Sequence, residues 1–171
     1  MLIGIVGDLG AGKTLTMTKL LREDFVKKQC DIYANYHLEF KHKKLDSAFM
    51  KNFKTLNLHN CSIGIDEIHI FIDSRSSMKA SSKIISYFLL QTRKRNVDLY
   101  YTTQFLNQVD KRLRNISDII IQCNRLKRRM SKDFMIVNTF NLRNGRKIRK
   151  VFDPEQYYSM YNTNEIIDFT E

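Results

Sequence analysis

Met1-Leu2-Ile3-Gly4-Ile5-Val6-Gly7-Asp8-Leu9-Gly10-Ala11-Gly12-Lys13-Thr14 opens the chain as an apolar run that passes straight into GDLGAGKT, a complete match to the phosphate-binding pattern GxxxxGK[ST]. Each residue type answers a chemical demand. Glycines let the backbone wrap closely enough to aim N–H groups at phosphate oxygens, and Lys13 adds a point charge toward the β- and γ-phosphates. Thr14 offers a hydroxyl to a magnesium ion. The flanks fit as well: the apolar run Leu2 to Val6 reads as a strand, and Leu15 to Lys28 as a helix. Strand, loop and helix in that order is the context a phosphate loop requires. The expected nucleotide cradle is therefore Gly7, Asp8, Leu9, Gly10, Ala11, Gly12, Lys13, Thr14 and Leu15.

Working outward, 171 residues suit one domain with a full core, and no low-complexity linker or internal repeat divides them. Residues 1–123 read as the nucleotide-binding core, and residues 124–171 as a basic hairpin followed by a C-terminal helix. The cysteines Cys30, Cys61 and Cys123 are odd in number and lack CxxC spacing, so buried thiols in a reducing compartment are expected. The longest apolar run, Ile84 to Leu90, is broken by Ser86 and falls far short of the ~20 residues of a membrane span. No signal peptide precedes the loop, and a cytoplasmic protein is expected.

Charge is uneven. Residues 1–92 carry 13 Lys/Arg against 9 Asp/Glu, residues 93–150 carry 16 against 4, and residues 151–171 carry none against 5. The net charge of +11 thus lies in one segment, where it clusters at Arg93-Lys94-Arg95, Lys111-Arg112 with Arg114, Arg125 to Arg129, and Arg146 to Lys150. A surface charged only for solubility mixes signs. This distribution reads as a face for a polyanion.

Strands and helices alternate along the chain, which points to an α/β fold. Strands are expected at Leu2 to Val6, Asp31 to Tyr36, Ser62 to Asp66, Val97 to Thr103 and Asp118 to Gln122. Helices are expected at Leu15 to Lys28, around Leu45 to Phe53, from Lys79 to Lys94 and near Asn107 to Asn115. Crossovers between such strands imply a mostly parallel sheet with the ligand at its carboxyl edge. Two alternating runs, Phe134 to Asn141 and Lys147 to Phe152, flank Arg143-Asn144-Gly145-Arg146 and announce a β-hairpin. Pro154 begins a last short helix through Tyr161.

Two further stretches carry chemistry. Cys61-Ser62-Ile63-Gly64-Ile65-Asp66-Glu67 is an apolar strand ending in two acids. Asp66 would hold Mg²⁺ together with Thr14, and Glu67 would polarise an attacking water; a binding-only site has no need of Glu67. Val97-Asp98-Leu99-Tyr100-Tyr101-Thr102-Thr103-Gln104 is an apolar strand that delivers an amide at its end. Beside the Asp66 strand, Gln104 could donate to a phosphate and accept from water. His69 reads as a packing or hydrogen-bonding residue.

Together, GDLGAGKT, IGIDEIHIF, Ser74-Arg75-Ser76, QTRKRNVDLYYTTQ and QVDKRLRNISDIII resemble the FtsK–HerA branch of P-loop ATPases, and most closely Zot-like proteins and the genome-packaging ATPases of viruses, archaeal ones included. The likeness spans roughly residues 1–123 and rests on motif order. It implies a RecA-like P-loop NTPase fold. It also implies that Lys13, Thr14, Asp66, Glu67 and Gln104 bind or hydrolyse ATP, in a hexameric ring that pumps double-stranded DNA. Zot-like proteins of filamentous phages often carry a membrane span after the ATPase domain. These 171 residues contain none, so packaging or intracellular translocation is expected in preference to extrusion through a membrane.

A ring would also employ arginines that a single site cannot use, because ring ATPases take a charge-neutralising cation from the neighbouring subunit. Arg93 and Arg95 are candidates, and family position favours Arg112 and Arg114. The expected activity is Mg-dependent ATP hydrolysis coupled to DNA movement, with viral genome packaging first. Capsid proteins would then be further partners. The competing readings are a plasmid or chromosomal translocase or helicase of the same branch, a small-molecule P-loop kinase, and a nucleotide-binding module without turnover.

Overall fold

A computed structural model of the chain describes residues 1–46, 58–69, 95–105, 111–127, 132–162 and 165, with the side chain of Arg112 excepted. Its elements are β1 (Leu2–Val6), α1 (Lys13–Lys28), β2 (Asp31–Ala34), β3 (Lys43–Lys44), β4 (Cys61–Ile65), β5 (Asp98–Thr103), α2 (Lys111–Ile116), β6 (Ile119–Leu126), β7 (Phe134–Asn141), β8 (Lys147–Phe152) and α3 (Glu155–Tyr158). The strands form one sheet in the order β3-β2-β4-β5-β1-β6-β7-β8. The first six of these pair in parallel, while β7 and β8 join antiparallel. This is the α/β, mostly parallel P-loop NTPase architecture expected from the sequence.

Both faces of the central strands are covered, which is why β1 and β4 read as unbroken apolar runs instead of alternating ones. On one face, Leu15, Met17 and Leu21 of α1 pack on Ile3, Ile5, Ile32, Tyr100, Cys123, Met135 and Val137. On the other, Leu113 of α2 joins Leu2, Ile63, Ile65, Leu99 and Tyr101. Each fully buried aliphatic side chain contributes roughly 1.5–3 kcal/mol. Gly4 is a glycine because Tyr101 crosses β1 there: a Cβ would lie 2.6 Å from the Tyr101 hydroxyl, which instead reaches Ser117 Oγ at 2.8 Å.

The structure departs from the sequence reading in several places. The hairpin extends the core sheet: β6 runs on through Leu126, so the expected boundary at residue 123 falls inside a strand. β3 carries only two exposed lysines, and no apolar pattern announces it. Leu45, expected to begin a helix, is non-helical; its N–H instead donates to the carbonyl of Ala34 at 2.8 Å, continuing the pairing with β2. Residues 47–57, the helix Lys79 to Lys94, Ser74 to Ser76 and Arg93 lie outside the described residues. The last helix is shorter than expected, covering Glu155–Tyr158 with Pro154 as its N-cap.

Candidate active site

The strands adjoining the site end nearly level. In the sheet, β5 lies between β1 and β4, with Val6 opposite Thr103 and Ile65 opposite Tyr101. Gly7, Asp66 and Gln104 are the residues that follow β1, β4 and β5, so three motifs separated in sequence leave the sheet at one edge.

The loop between β1 and α1 turns through Gly10 and Gly12, whose φ angles of 74° and 84° lie in the left-handed region. At Gly12 the demand is double, since a Cβ would also stand 2.7 Å from Met135 Sδ. Gly12 caps α1 without a side chain, which leaves the amide-rich, electropositive end of the helix to an anion. Lys13 is buried and its Nζ donates to the carbonyl of Asp8 at 3.2 Å, folded back across the loop.

Asp66 is the hub. The Thr14 hydroxyl lies 3.1 and 3.0 Å from its two carboxylate oxygens, and the Thr102 hydroxyl donates to Oδ1 at 2.6 Å. Asn35 clamps its backbone, donating from Nδ2 to the Asp66 carbonyl at 2.9 Å and accepting from the Asp66 N–H at 2.7 Å. Burial pushes the Asp66 carboxyl above the ordinary value; hydrogen bonds from Thr102 and Thr14 oppose this, the charge of Glu67 adds to it and that of Lys13 opposes it. A carboxylate and a hydroxyl converging in this way form an oxygen donor set suited to Mg²⁺, and the cation would relieve the cost of ionising a buried acid.

Glu67 takes φ 50°, a left-handed conformation unusual for a residue with a side chain and found disproportionately at functional sites. The same Thr102 hydroxyl that holds Asp66 accepts the Glu67 N–H at 2.8 Å. Glu67 Oε2 lies 3.3 Å from His69 Nδ1, yet neither atom makes a hydrogen bond of good geometry among the described residues. His69 is thus a neighbour of the acid that would orient water. Gln104 is partly buried immediately past β5.

The arginines are dispersed. Arg114 is partly buried on the face opposite α1; its charge opposes the burial that pushes the Tyr101 hydroxyl up, and its Nε is buried without a hydrogen bond among the described residues. Arg95 precedes β5, at the amino edge of the sheet, and its carbonyl accepts from the Asn60 N–H at 3.2 Å. Arg125 is held by Asp133 and Arg143 by Asp118. Arg112 is placed by its backbone alone, within α2.

Sequence reasoning missed Thr102 and Asn35. Thr102 carried only a faint signal, as one of two adjacent threonines, both fully buried in β5, between Leu99-Tyr100-Tyr101 and Gln104. Asn35 carried only its place after β2.

The comparisons bear on the fold and the family. The chain is similar in fold to the N-terminal domain of zonular occludens toxin from Neisseria meningitidis, at 15% identity and TM-score 0.65 over 94% of this chain and 98% of that one. It is also similar to a genome-packaging NTPase of Sulfolobus turreted icosahedral virus 2 solved with ATP-gammaS, at 11% identity and TM-score 0.61 over 90% and 97%. A third is the flagellar accessory protein FlaH of Methanocaldococcus jannaschii, at 13% identity and TM-score 0.60 over 89% and 84%. No curated protein sequence matches the chain. The model of the zonular occludens toxin (Zot) family matches residues 1–165, and the chain belongs to that family.

Proposed function

We propose that the chain is an ATP-driven motor that moves DNA, with packaging of a viral genome as its first setting and action in the cytoplasm. The observation that carries the reading is the placement of β5 between β1 and β4, which sets the loop lysine, the Thr14–Asp66 pair, Glu67 and Gln104 at one edge. In this reading the backbone of Gly7 to Leu15 cradles the phosphates and Lys13 turns from the Asp8 carbonyl to the β- and γ-phosphates. Thr14 and Asp66 hold Mg²⁺, which supplies charge neutralisation at the phosphoryl oxygens. Glu67 orients and polarises water, and Gln104 hydrogen-bonds the γ-phosphate.

The DNA half of the reading rests on the cations of residues 93–150. Arg125 and Arg143 are already paired with acids, but among the described residues no acid partners Arg146, Lys147, Arg149 or Lys150. All four are exposed. A ring, hexameric by family resemblance, would supply an arginine across each subunit boundary, with Arg112 and Arg114 as the candidates.

The test is ATP turnover with and without double-stranded DNA. Glu67→Gln is expected to bind MgATP while turnover falls by ~10² or more, as for loss of a general base; Lys13→Ala is expected to lose both. Turnover that needs a metabolite acceptor and ignores DNA would assign a kinase instead.

A further inference from the structure

Past the end of β4, the chain from Asp66 to Ile68 is held at each residue in turn. Asn35 bonds the Asp66 backbone at both its N–H and its carbonyl, the Thr102 hydroxyl accepts the Glu67 N–H, and Ile68 is buried in the cluster of Leu2, Ile63, Ile65 and Leu99. With Ile68 packed in the core and Glu67 at a φ of 50°, the side chains on either side of Ile68 meet: Glu67 Oε2 and His69 Nδ1 are 3.3 Å apart. The backbone sets this meeting.

Both atoms are shielded from solvent, and neither has a hydrogen-bond partner of good geometry among the described residues. The side chains that carry them are 23% and 31% exposed, so neither residue belongs to the core. A shielded oxygen and a shielded ring nitrogen left unmatched are costly, and native chains keep few of them. Packing alone gives no reason to aim one at the other. With Glu67 ionised, as an acid that polarises water must be, its oxygens only accept, and the nitrogen that faces Oε2 has to carry the ring proton. That places the His69 proton on Nδ1. Hydrogen bonds of catalytic groups are commonly long or misaligned before substrate binds and tighten once it has.

We propose that His69 is the positioning residue of Glu67: its Nδ1–H donates to Oε2 in the nucleotide-bound protein, which leaves Oε1 to accept from the attacking water. This rests on the hydrolytic reading of Glu67 given above. A glutamate side chain is long and turns freely, and a reacting group misplaced by about 1 Å costs on the order of 10²-fold in rate. Holding one oxygen removes that freedom. Because His69 acts through Glu67 alone, its loss should slow the chemical step and spare the binding of nucleotide.

The test is hydrolysis by the whole chain at saturating MgATP with double-stranded DNA, followed to single-turnover sensitivity, beside MgATP affinity by calorimetry. The variants are His69→Asn, His69→Leu, Glu67→Gln and the double variant of Glu67→Gln with His69→Leu. Asparagine sets an N–H close to the place of Nδ1, whereas leucine keeps bulk without a donor. His69→Leu is expected to lower kcat ~10- to 100-fold with MgATP affinity unchanged, and His69→Asn to recover most of the rate. In the Glu67→Gln background His69→Leu is expected to cost nothing further, because groups that act as a unit are not additive. Unchanged kcat in His69→Leu, a loss of MgATP affinity that matches the loss of kcat, equal rates in His69→Asn and His69→Leu, or losses that multiply in the double variant would each overturn the positioning role while leaving Glu67 in place. Full turnover in Glu67→Gln overturns the reading of Glu67 itself and this proposal with it.

Discussion

Asp66 is where stability and function pull apart. Its carboxyl is pushed above the ordinary value chiefly by burial, so the folded chain holds that proton to higher pH than the unfolded chain does. A raised group of this kind contributes stability that is fully present below the unfolded value and is lost as pH rises through the folded value. Once the pH has risen past the folded value, the nucleotide-free protein carries the cost of an ionised, buried acid. Asp66→Asn is expected to raise the melting temperature in the absence of metal, by roughly 2–4 °C for each kcal/mol relieved, while abolishing Mg-dependent turnover. Melts in chelator at descending pH check the sign, since the gap between variant and wild type should close as Asp66 takes up its proton. Thr102 is the complementary case. One hydroxyl donates to Asp66 and accepts from Glu67, so Thr102→Val keeps the shape but releases both acids. Turnover is expected to fall ~10- to 100-fold, the usual cost of removing a group that orients a metal ligand, with nucleotide affinity in chelator nearly unchanged. An equal loss of both would make Thr102 a residue of the fold alone.

At the scale of elements, the hairpin poses the sharpest question, because its cations have two physical uses. β8 is an edge strand. Phe152 pairs with Met135 on the α1 face, and Lys150 pairs with Val137 there, while Lys147 and Arg149 point to the opposite face. Charges along both sides of an edge also prevent strand addition and aggregation. Replacing Arg146, Lys147, Arg149 and Lys150 by Ala separates the uses. If they neutralise phosphates of duplex DNA, affinity drops and the slope of log K against log salt becomes shallower by up to about 0.9 per cation removed, independent of sequence. Unchanged affinity and slope with new aggregation would leave these cations as edge protection only. The hairpin itself was legible from two alternating runs around Asn144-Gly145, but its loop, Leu142 to Arg146, is wider than a two-residue turn. The Arg143 side chain and the Leu142 N–H are both drawn to Asp118, 2.7 Å from Arg143 Nε to the carboxylate and 2.9 Å from the Leu142 N–H to the carbonyl. Such a contact between distant residues leaves no local pattern. For the same reason β3 and the fusion of the hairpin with β6 were hidden, whereas β1, β4 and β5 announced themselves through apolar runs with a candidate site residue just beyond each.

For the whole molecule, the motifs announced which strands lead to the candidate site, but neither their order in the sheet nor which cation completes the site. Among the described arginines, Arg125 is held by Asp133, Arg143 by Asp118, Arg95 stands at the amino edge, and Arg114 is packed near Tyr101 on the face away from α1. A phosphoryl group in transfer needs charge neutralised beyond what one lysine and one ion supply, and in the proposed ring a neighbouring subunit would supply it. Specific activity should then rise with protein concentration before reaching a plateau. Arg112→Ala and Arg114→Ala are expected to keep nucleotide binding and lose hydrolysis. For Arg114 a melting curve is needed as well, since its partly buried side chain also packs. Mixing either variant with Glu67→Gln should restore part of the turnover, because some mixed boundaries pair an intact Glu67 with an intact arginine. Flat specific activity over a hundredfold dilution, with no complementation in the mixtures, would mean that each chain works alone and that the ring is wrong.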